Sequence, residues 1–347
     1  MGCAGLRPSS GDAHVLELEQ ITVAIDFAPE QAEDARRDAG HGHGVGRRRD
    51  GQLEVAWRAD LSARDSVDGL HKKVALVALD AAEPSHKRGV TVEGDGGVHV
   101  DFTGLSQALE PGELVALLNA CQGEMTDLHL EEGGTVDKYI GDAIVAMFGA
   151  PLEQPDHAAA ACRAAWRCQQ MLAARRPEWE ARGWPAVHVR IGLNSGPALV
   201  GNMGSDKRFD YTMLGDTVNL AARLEGTNAV YRTWIMVGEE TAAQVVGDIV
   251  LRELDRVRVK GKLKPVRVFE VLAPSEHATS DQRALAARSG VALEAWRDQQ
   301  WEEARTILTP LAEAGDGWAQ VFLERVAAFE ANPPPEDWDG VFVMTTK

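Results

Sequence analysis

The sequence has few of the features that define several large protein classes. It contains four cysteines (Cys3, Cys121, Cys162 and Cys168), and no two of them are spaced as a metal-binding pair. It has no run of about 18 apolar residues and no basic-then-apolar order at the N-terminus, as in a signal peptide. We therefore expect reduced thiols, no membrane-spanning segment in this chain and a cytoplasmic location.

Positively charged residues are also in the minority. The chain has 36 Lys and Arg against 53 Asp and Glu, which gives a formal net charge of −17 at pH 7. Nucleic-acid binding normally requires a basic face that displaces counterions from phosphates. The composition therefore argues against a nucleic-acid-binding protein, and any polyanion that the protein handles is expected to be small and bound with metal.

The chain does have enough apolar residues, 44% of its length, to form a full core. Residues 1–88 are polar and irregular apart from strand-like runs at residues 21–25 and 74–79. Between residues 89 and 274, strands and helices alternate with two hairpins, which predicts a ferredoxin-like α+β palm domain. Within it, residues 187–193 and 198–200 predict two strands on either side of Ser195 and Gly196. Residues 275–347 predict a helical extension, with helices at 283–298, 301–312 and 318–330, which we expect to brace that domain.

One predicted hairpin carries a carboxylate at its tip. Two strand-like runs, at residues 135–140 and 143–148, flank the pair Gly141 and Asp142. A carboxylate in such a turn is a suitable hard ligand for Mg²⁺ or Mn²⁺. Because Gly-Asp also occurs in turns for conformational reasons, the turn alone leaves both interpretations open.

A second polar group is predicted at the start of a helix. The sequence GDTVNLAARLE at residues 215–225 places Asp216 as an N-cap, with Asn219 and Arg223 four residues apart on one helical face. These two side chains either bind one anionic group or form a solvated face. Together with Lys138, Lys260 and a metal ligand, they suit phosphoryl or nucleotidyl transfer, in which catalysis is mainly positioning and charge stabilisation.

Three ordered motifs make the pattern more specific. They are GGTVDKYIGDAI at residues 133–144, VRIGLNSG at 189–196 and FDYTMLGDTVNLAAR at 209–223. Together they resemble the class III nucleotide cyclase catalytic domain. The chain resembles most closely the bacterial adenylate cyclases whose catalytic domain follows a membrane-bound sensor. The resemblance implies a palm-like domain that works as a head-to-tail homodimer, with ATP and two Mg²⁺ or Mn²⁺ ions at the interface.

The resemblance also implies roles for the matched positions. Asp142 would be the second of two metal-binding aspartates. Asn219 would orient the ribose, and Arg223 would stabilise charge on the α-phosphate as the ribose 3′-oxygen attacks it. Lys260, in the sequence VKGK at residues 259–262, resembles the lysine that holds the terminal phosphates.

Base recognition would fall to Lys138 and Thr212. Guanylate cyclases resemble this pattern but carry Glu and Cys at the two places, whereas a lysine donates where adenine N1 accepts. The resemblance therefore favours ATP, converted to 3′,5′-cyclic AMP and pyrophosphate in signal transduction.

The first metal-binding aspartate of the family is missing at its expected place. It would stand four residues before Phe102, where this chain has Val98, and Asp95 and Asp101 lie three residues to either side. Asp101 is the stronger candidate for the metal, although it requires a shifted strand register. We hypothesise that residues before Phe102 derive from a shifted reading frame or a misplaced start.

The sequence is therefore compatible with two functions. The first is an active adenylate cyclase. The alternative is a catalytically impaired, cyclase-like nucleotide-binding module that regulates by dimerising with an intact partner. A diguanylate cyclase is disfavoured, because the turn reads Gly141-Asp142-Ala143 in place of the Gly-Gly-Asp/Glu-Glu-Phe that such a relative carries.

Overall fold

The computed structural model describes residues 21–24, 44–49, 52–57, 71–81, 109–205, 207–258, 264–335 and 338–343. The chain divides into two units, Met1–Leu70 and His71–Lys347. The first unit contains an antiparallel sheet with the order β1-β3-β2. Its strands are β1 (Ile21–Ala24), β2 (Gly44–Arg49) and β3 (Gln52–Trp57).

The second unit is built on a nine-stranded mixed sheet with the order β12-β10-β11-β9-β7-β4-β6-β5, and β8 pairs with β7 beside this path. Its strands are β4 (His71–Ala81), β5 (Thr135–Ile140), β6 (Ala143–Phe148), β7 (Val189–Ser205), β8 (Arg208–Leu214), β9 (Ile235–Gly238), β10 (Ile249–Arg258), β11 (Val266–Pro274) and β12 (Phe342–Val343). Its helices are α1 (Pro111–Glu131), α2 (His157–Ala181), α3 (Asp216–Tyr231), α4 (Glu239–Gln244), α5 (Ser280–Arg297), α6 (Trp301–Glu313) and α7 (Gly317–Ala331). The α+β architecture predicted from the sequence is confirmed.

The main core lies between the sheet and helices α1 and α2. Helix α2 approaches closely because its inward face is made of small side chains: six alanines between residues 158 and 165 are at most 3% exposed. Cys121, Cys162 and Cys168 are buried there as free thiols. Burial raises the pKa of both Cys121 and Cys162 to about 12, so these thiols carry very little thiolate at neutral pH.

Helix α3 is held tightly against the central strand β7. A Cβ atom at Gly192 would lie only 2.2 Å from the carbonyl oxygen of Ala221 and the backbone nitrogen of Glu225 in α3, so this approach requires glycine. Nearby, Arg190 Nε and Glu225 Oε1 are 2.9 Å apart in a mostly buried ion pair. These contacts fix α3, which carries Asn219 and Arg223, relative to the sheet.

Helices α5, α6 and α7 form the predicted helical extension, and they share a second core with α3 and β10. Trp318 is fully buried and its Nε1 donates to the Leu254 carbonyl oxygen of β10 at 2.9 Å. Asp255, also in β10, accepts hydrogen bonds from the Tyr231 hydroxyl at 2.6 Å and from Arg325 at 2.8 Å. The extension therefore packs on the sheet and on the C-terminal end of α3.

Three local predictions were wrong. The sequence suggested two strands, at residues 187–193 and 198–200, but the chain continues through Gly196 as the single strand β7, because its first half pairs with β4 and β9 and its second half with β8. Strand β8 itself was not predicted. The N-cap of α3 is Gly215 and not Asp216, which is the first helical residue.

Strand β4 occupies the centre of the sheet, between β6 and β7. It contains the strand-like run predicted at residues 74–79, so that run is confirmed. The strand that the resemblance places near residues 90–103 lies outside the described residues. The domain boundary at residue 88 and the shifted reading frame stay predictions.

Candidate active site

The two side chains expected to recognise the base lie together although 74 residues separate them. Lys138 Nζ, in β5, donates to Thr212 Oγ1, in β8, at 3.1 Å. The Thr212 hydroxyl in turn donates to Asp137 Oδ2 at 2.7 Å, and Lys138 Nζ is 3.5 Å from Asp137 Oδ1. We call Asp137, Lys138 and Thr212 the base cluster.

A β-bulge explains how two consecutive residues reach the same hydroxyl. In a regular strand Asp137 and Lys138 would point to opposite faces. The pairing of β5 with β6 shifts between Val136 and Lys138, so Asp137 has no partner of its own in the ladder. Such a bulge changes the local twist and redirects side chains. Sequence reasoning missed Asp137 because it assumed regular alternation.

Asp142 lies where the sequence predicted, in the turn between β5 and β6. It is half-buried, and the preceding Gly141 has φ +64°, which favours glycine in this turn. Gln122 of α1 donates to the Gly141 carbonyl oxygen at 3.0 Å and holds the turn in place. Asp142 is therefore presented at the edge of the sheet on a well-defined hairpin.

Strand register brings a second acidic residue to the same end of the sheet. Leu79 of β4 lies opposite Ile144 of β6, and Asp80 is the next residue of β4, opposite Arg190 of β7. Asp142 lies two residues before Ile144, and the strands are antiparallel. By this register residue 80 falls opposite Ala143, one position along the ladder from Asp142, so both acidic residues lie at the same end of the sheet. The signal available in the sequence was the strand-like run at residues 74–79, which ends directly before Asp80.

Asn219 and Arg223 lie on an exposed face of α3. Within the described part of the chain, no hydrogen bond or ion pair joins either side chain to Asp142 or to the base cluster. Their helix is held by Asn194, whose Nδ2 donates to the Thr217 carbonyl oxygen at 3.1 Å. On one subunit the two side chains of α3 are thus exposed and unbonded to the other candidate residues that the structure describes.

Two other candidates cannot be placed. Lys260 falls in residues 259–263, and Asp101 falls in residues 82–108, both outside the described residues. Their roles stay predictions. Among the described helices, none combines the length and the apolar character needed to cross a membrane.

Comparison with known proteins identifies the domain. Residues 99–271 match the model of the adenylate and guanylate cyclase catalytic domain family. Over 187 residues the chain is 33% identical to adenylate cyclase 1 of Rhizobium meliloti, covering 54% of this chain and 28% of that protein. Over 182 residues it is 36% identical to an adenylate cyclase of Anabaena cylindrica, covering 50% and 35%. The chain thus spans about a third of the length of these relatives.

Solved structures agree with this assignment. The fold is similar to that of the adenylyl cyclase CyaB from P. aeruginosa, with a TM-score of 0.51 and 31% identity over 60% of this chain and 98% of that one. It is also similar to the guanylyl cyclase Cya2, with a TM-score of 0.50 and 29% identity over 60% and 96%. The chain belongs to the class III nucleotide cyclase family.

Proposed function

We propose that the protein is an adenylate cyclase, which converts ATP to 3′,5′-cyclic AMP and pyrophosphate. The observation that carries this proposal is the contact between Lys138 and Thr212, because it assembles from distant segments the pair that favours adenine over guanine. Lys138 has a side chain that is 40% exposed, so its ammonium has donor capacity left for adenine N1. Both relatives described above are named adenylate cyclases.

Asp142 and Asp80 are the proposed metal-binding pair. Two aspartates at the same end of the sheet would supply the hard oxygen donors that Mg²⁺ and Mn²⁺ prefer. Bound metal would neutralise charge on the triphosphate and favour ionisation of the ribose 3′-hydroxyl. Asp80 would take the role that the sequence alone left to Asp101, since β4 and not a later strand lies beside β6.

A head-to-tail homodimer is proposed because Asn219 and Arg223 are exposed and, among the described residues of one subunit, make no hydrogen bond or ion pair with Asp142 or the base cluster. Asn219 and Arg223 are exposed and would act on a nucleotide whose base is held by the other subunit. Large apolar side chains beside the base cluster are also exposed, as expected of a surface that a second subunit covers. They are Tyr139, Ile140, Phe209 and Leu214.

The test is incubation of the purified chain with ATP or GTP and Mn²⁺, followed by detection of either cyclic nucleotide. Cyclic AMP as the main product supports the proposal. Cyclic GMP as the main product would contradict the base assignment. Neither product, with nucleotide still bound, would favour the alternative of an impaired, cyclase-like regulatory module, which the valine at position 98 suggests.

Two matched variants separate the candidates for the first metal ligand. Asp80→Asn is expected to lower cyclic AMP formation by more than about 100-fold, since a direct ligand should matter more than the outer-shell groups around a metal site. Asp101→Asn removes one carboxylate in the same way. Loss of activity in the Asp101 variant together with normal activity in the Asp80 variant would return the role to Asp101.

A further inference from the structure

The hydrogen bonds of the base cluster leave the Thr212 hydroxyl with one unused lone pair. A hydroxyl has one hydrogen and two lone pairs. An ionised carboxylate only accepts, so the hydrogen between Thr212 and Asp137 belongs to Thr212. An ammonium only donates, so Lys138 occupies one lone pair of Thr212. One lone pair remains, and Thr212 therefore presents an acceptor to anything bound in front of it.

The structure holds Asp137 firmly in the position from which it controls this hydroxyl. Its side chain is only 2% exposed. Its Oδ1 is buried and, among the described residues, has no hydrogen-bond partner, although the Lys138 ammonium lies 3.5 Å away. A carboxylate buried with incomplete hydrogen bonding is costly. This cost is understandable if Asp137 serves the site and not the stability of the domain.

We propose that Asp137 sets the base preference of this site by fixing the Thr212 hydroxyl as an acceptor. The inference rests on the proposed cyclase function and names a positioning residue for it. At position 6 adenine carries an amino donor, whereas guanine carries an oxygen acceptor. An acceptor-only Thr212 bonds the adenine amino group and places two lone pairs against each other when guanine is bound.

Without the Asp137 carboxylate, the Thr212 hydroxyl is free to rotate. It then donates to the guanine oxygen as readily as it accepts from the adenine amino group, so GTP binding improves relative to ATP. Lys138 does not prevent this change, because an ammonium can donate to the guanine oxygen as well. Thr212 provides selectivity only while Asp137 holds its hydrogen.

A purely structural role for Asp137 predicts a different result. If Asp137 only balances the charge of Lys138 or stabilises the bulge in β5, its loss weakens the binding of both nucleotides by similar factors. The ratio of the two affinities, and not either affinity alone, therefore distinguishes the two roles.

The test compares the parent chain with Asp137→Leu, Thr212→Val and the double variant. The probes are 3′-deoxy-ATP and 3′-deoxy-GTP with Mn²⁺, which lack the attacking oxygen and so report equilibrium binding without turnover. Asp137→Leu approximately preserves side-chain shape but has no oxygen to accept the Thr212 hydrogen, and we expect it to lower the preference for the adenine nucleotide by about tenfold or more. In the Thr212→Val background the same change should have no further effect on the ratio, because Asp137 acts through that hydroxyl.

Thermal melting checks that each variant is folded, and Asp137→Ala serves if the leucine variant is not. An unchanged ratio in the folded Asp137 variant would overturn the inference, as would an equal effect of that change in the presence and absence of Thr212. Cyclic nucleotide formation by the parent chain is measured separately. A parent that binds the adenine analogue selectively and forms no product would refute the proposed activity and still decide the role of Asp137.

Discussion

Two buried aspartates in this domain differ in how fully their oxygens are bonded. Asp255 is 1% exposed, and both oxygens are occupied: Oδ2 by Tyr231 and Arg325, and Oδ1 by the backbone N–H of Arg256 at 2.7 Å. The Asp137 side chain is 2% exposed, yet one of its oxygens has no hydrogen-bond partner among the described residues. The two side chains are therefore equally buried but differ in how many of their oxygens are hydrogen-bonded.

The difference separates a structural network from a binding site. Asp255 joins α3, β10 and α7, so its hydrogen bonds are all directed inward between packed elements. The base cluster lies beside exposed side chains, its Lys138 side chain is 40% exposed, and the Thr212 hydroxyl keeps one lone pair that neither Lys138 nor Asp137 uses. A buried carboxylate next to unused hydrogen-bonding groups indicates a binding site, whereas a fully hydrogen-bonded carboxylate indicates a structural contact between secondary-structure elements.

The largest expected effect is the loss of stability when Asp255, the fully hydrogen-bonded aspartate, is removed. Asp255→Ala leaves the Arg325 guanidinium buried without its partner, and loss of one member of a buried ion pair costs about 3–5 kcal/mol. Urea denaturation at pH 7 should show this fall in the free energy of unfolding. Glu313→Ala, which removes an exposed carboxylate from the same extension, is the control. Similar stabilities of the two variants would contradict the structural role of Asp255.

The next effect belongs to the exposed face of α3. Arg223→Ala is expected to lower kcat for cyclic AMP formation by about 10²–10³-fold, the usual loss when one donor to the transition state is removed, and Asn219→Ala should fall in the same range. Stability should change little, since both side chains are exposed. Arg288→Ala, exposed on α5, is the control. Parent-like activity of the α3 variants would refute the proposed site.

The smallest effect concerns a carboxylate that links β10 to the extension. Burial opposes ionisation of Glu253, but hydrogen bonds from Arg267 and Arg297 outweigh burial and hold its pKa below the ordinary value of 4.5. A depressed carboxyl pKa stabilises the fold above the unfolded-state pKa, and that contribution is lost as the pH falls through the folded-state pKa.

Glu253→Gln should therefore reduce Tm at pH 7 and reduce it less near pH 3. Its expected cost is about 1 kcal/mol or less, because Arg267 is partly exposed. Thermal melting of parent and variant at both pH values checks this sign. A larger loss at pH 3 than at pH 7 would contradict it.

Much of the fold could be predicted from local patterns. The hairpin of β5 and β6 was predicted to the residue, because two apolar runs flank a Gly-Asp turn. The helices of the extension were predicted within a few residues. The single strand β7 was missed because Ser195 and Gly196 signal a turn locally, whereas pairing with β4, β9 and β8 keeps the strand extended.

The candidate site was predictable in part. Lys138, Thr212, Asp142, Asn219 and Arg223 were chosen from motifs, and the structure brings the first two together. Asp137 and Asp80 were missed, since a bulge and a sheet register cannot be read from a single strand. The roles of all these residues stay predictions until the variants are measured.

By itself the sequence determined the family, the alternating α+β order and the candidate residues carried by three local motifs, because such motifs depend on neighbours along the chain. Only the tertiary structure decided which strand fills the centre of the sheet, that Asp80 lies at the same end of the sheet as Asp142, and that the Thr212 hydroxyl donates to Asp137. These outcomes depend on pairing between distant segments, where sheet hydrogen bonds and one bulge override the regular alternation of a single strand.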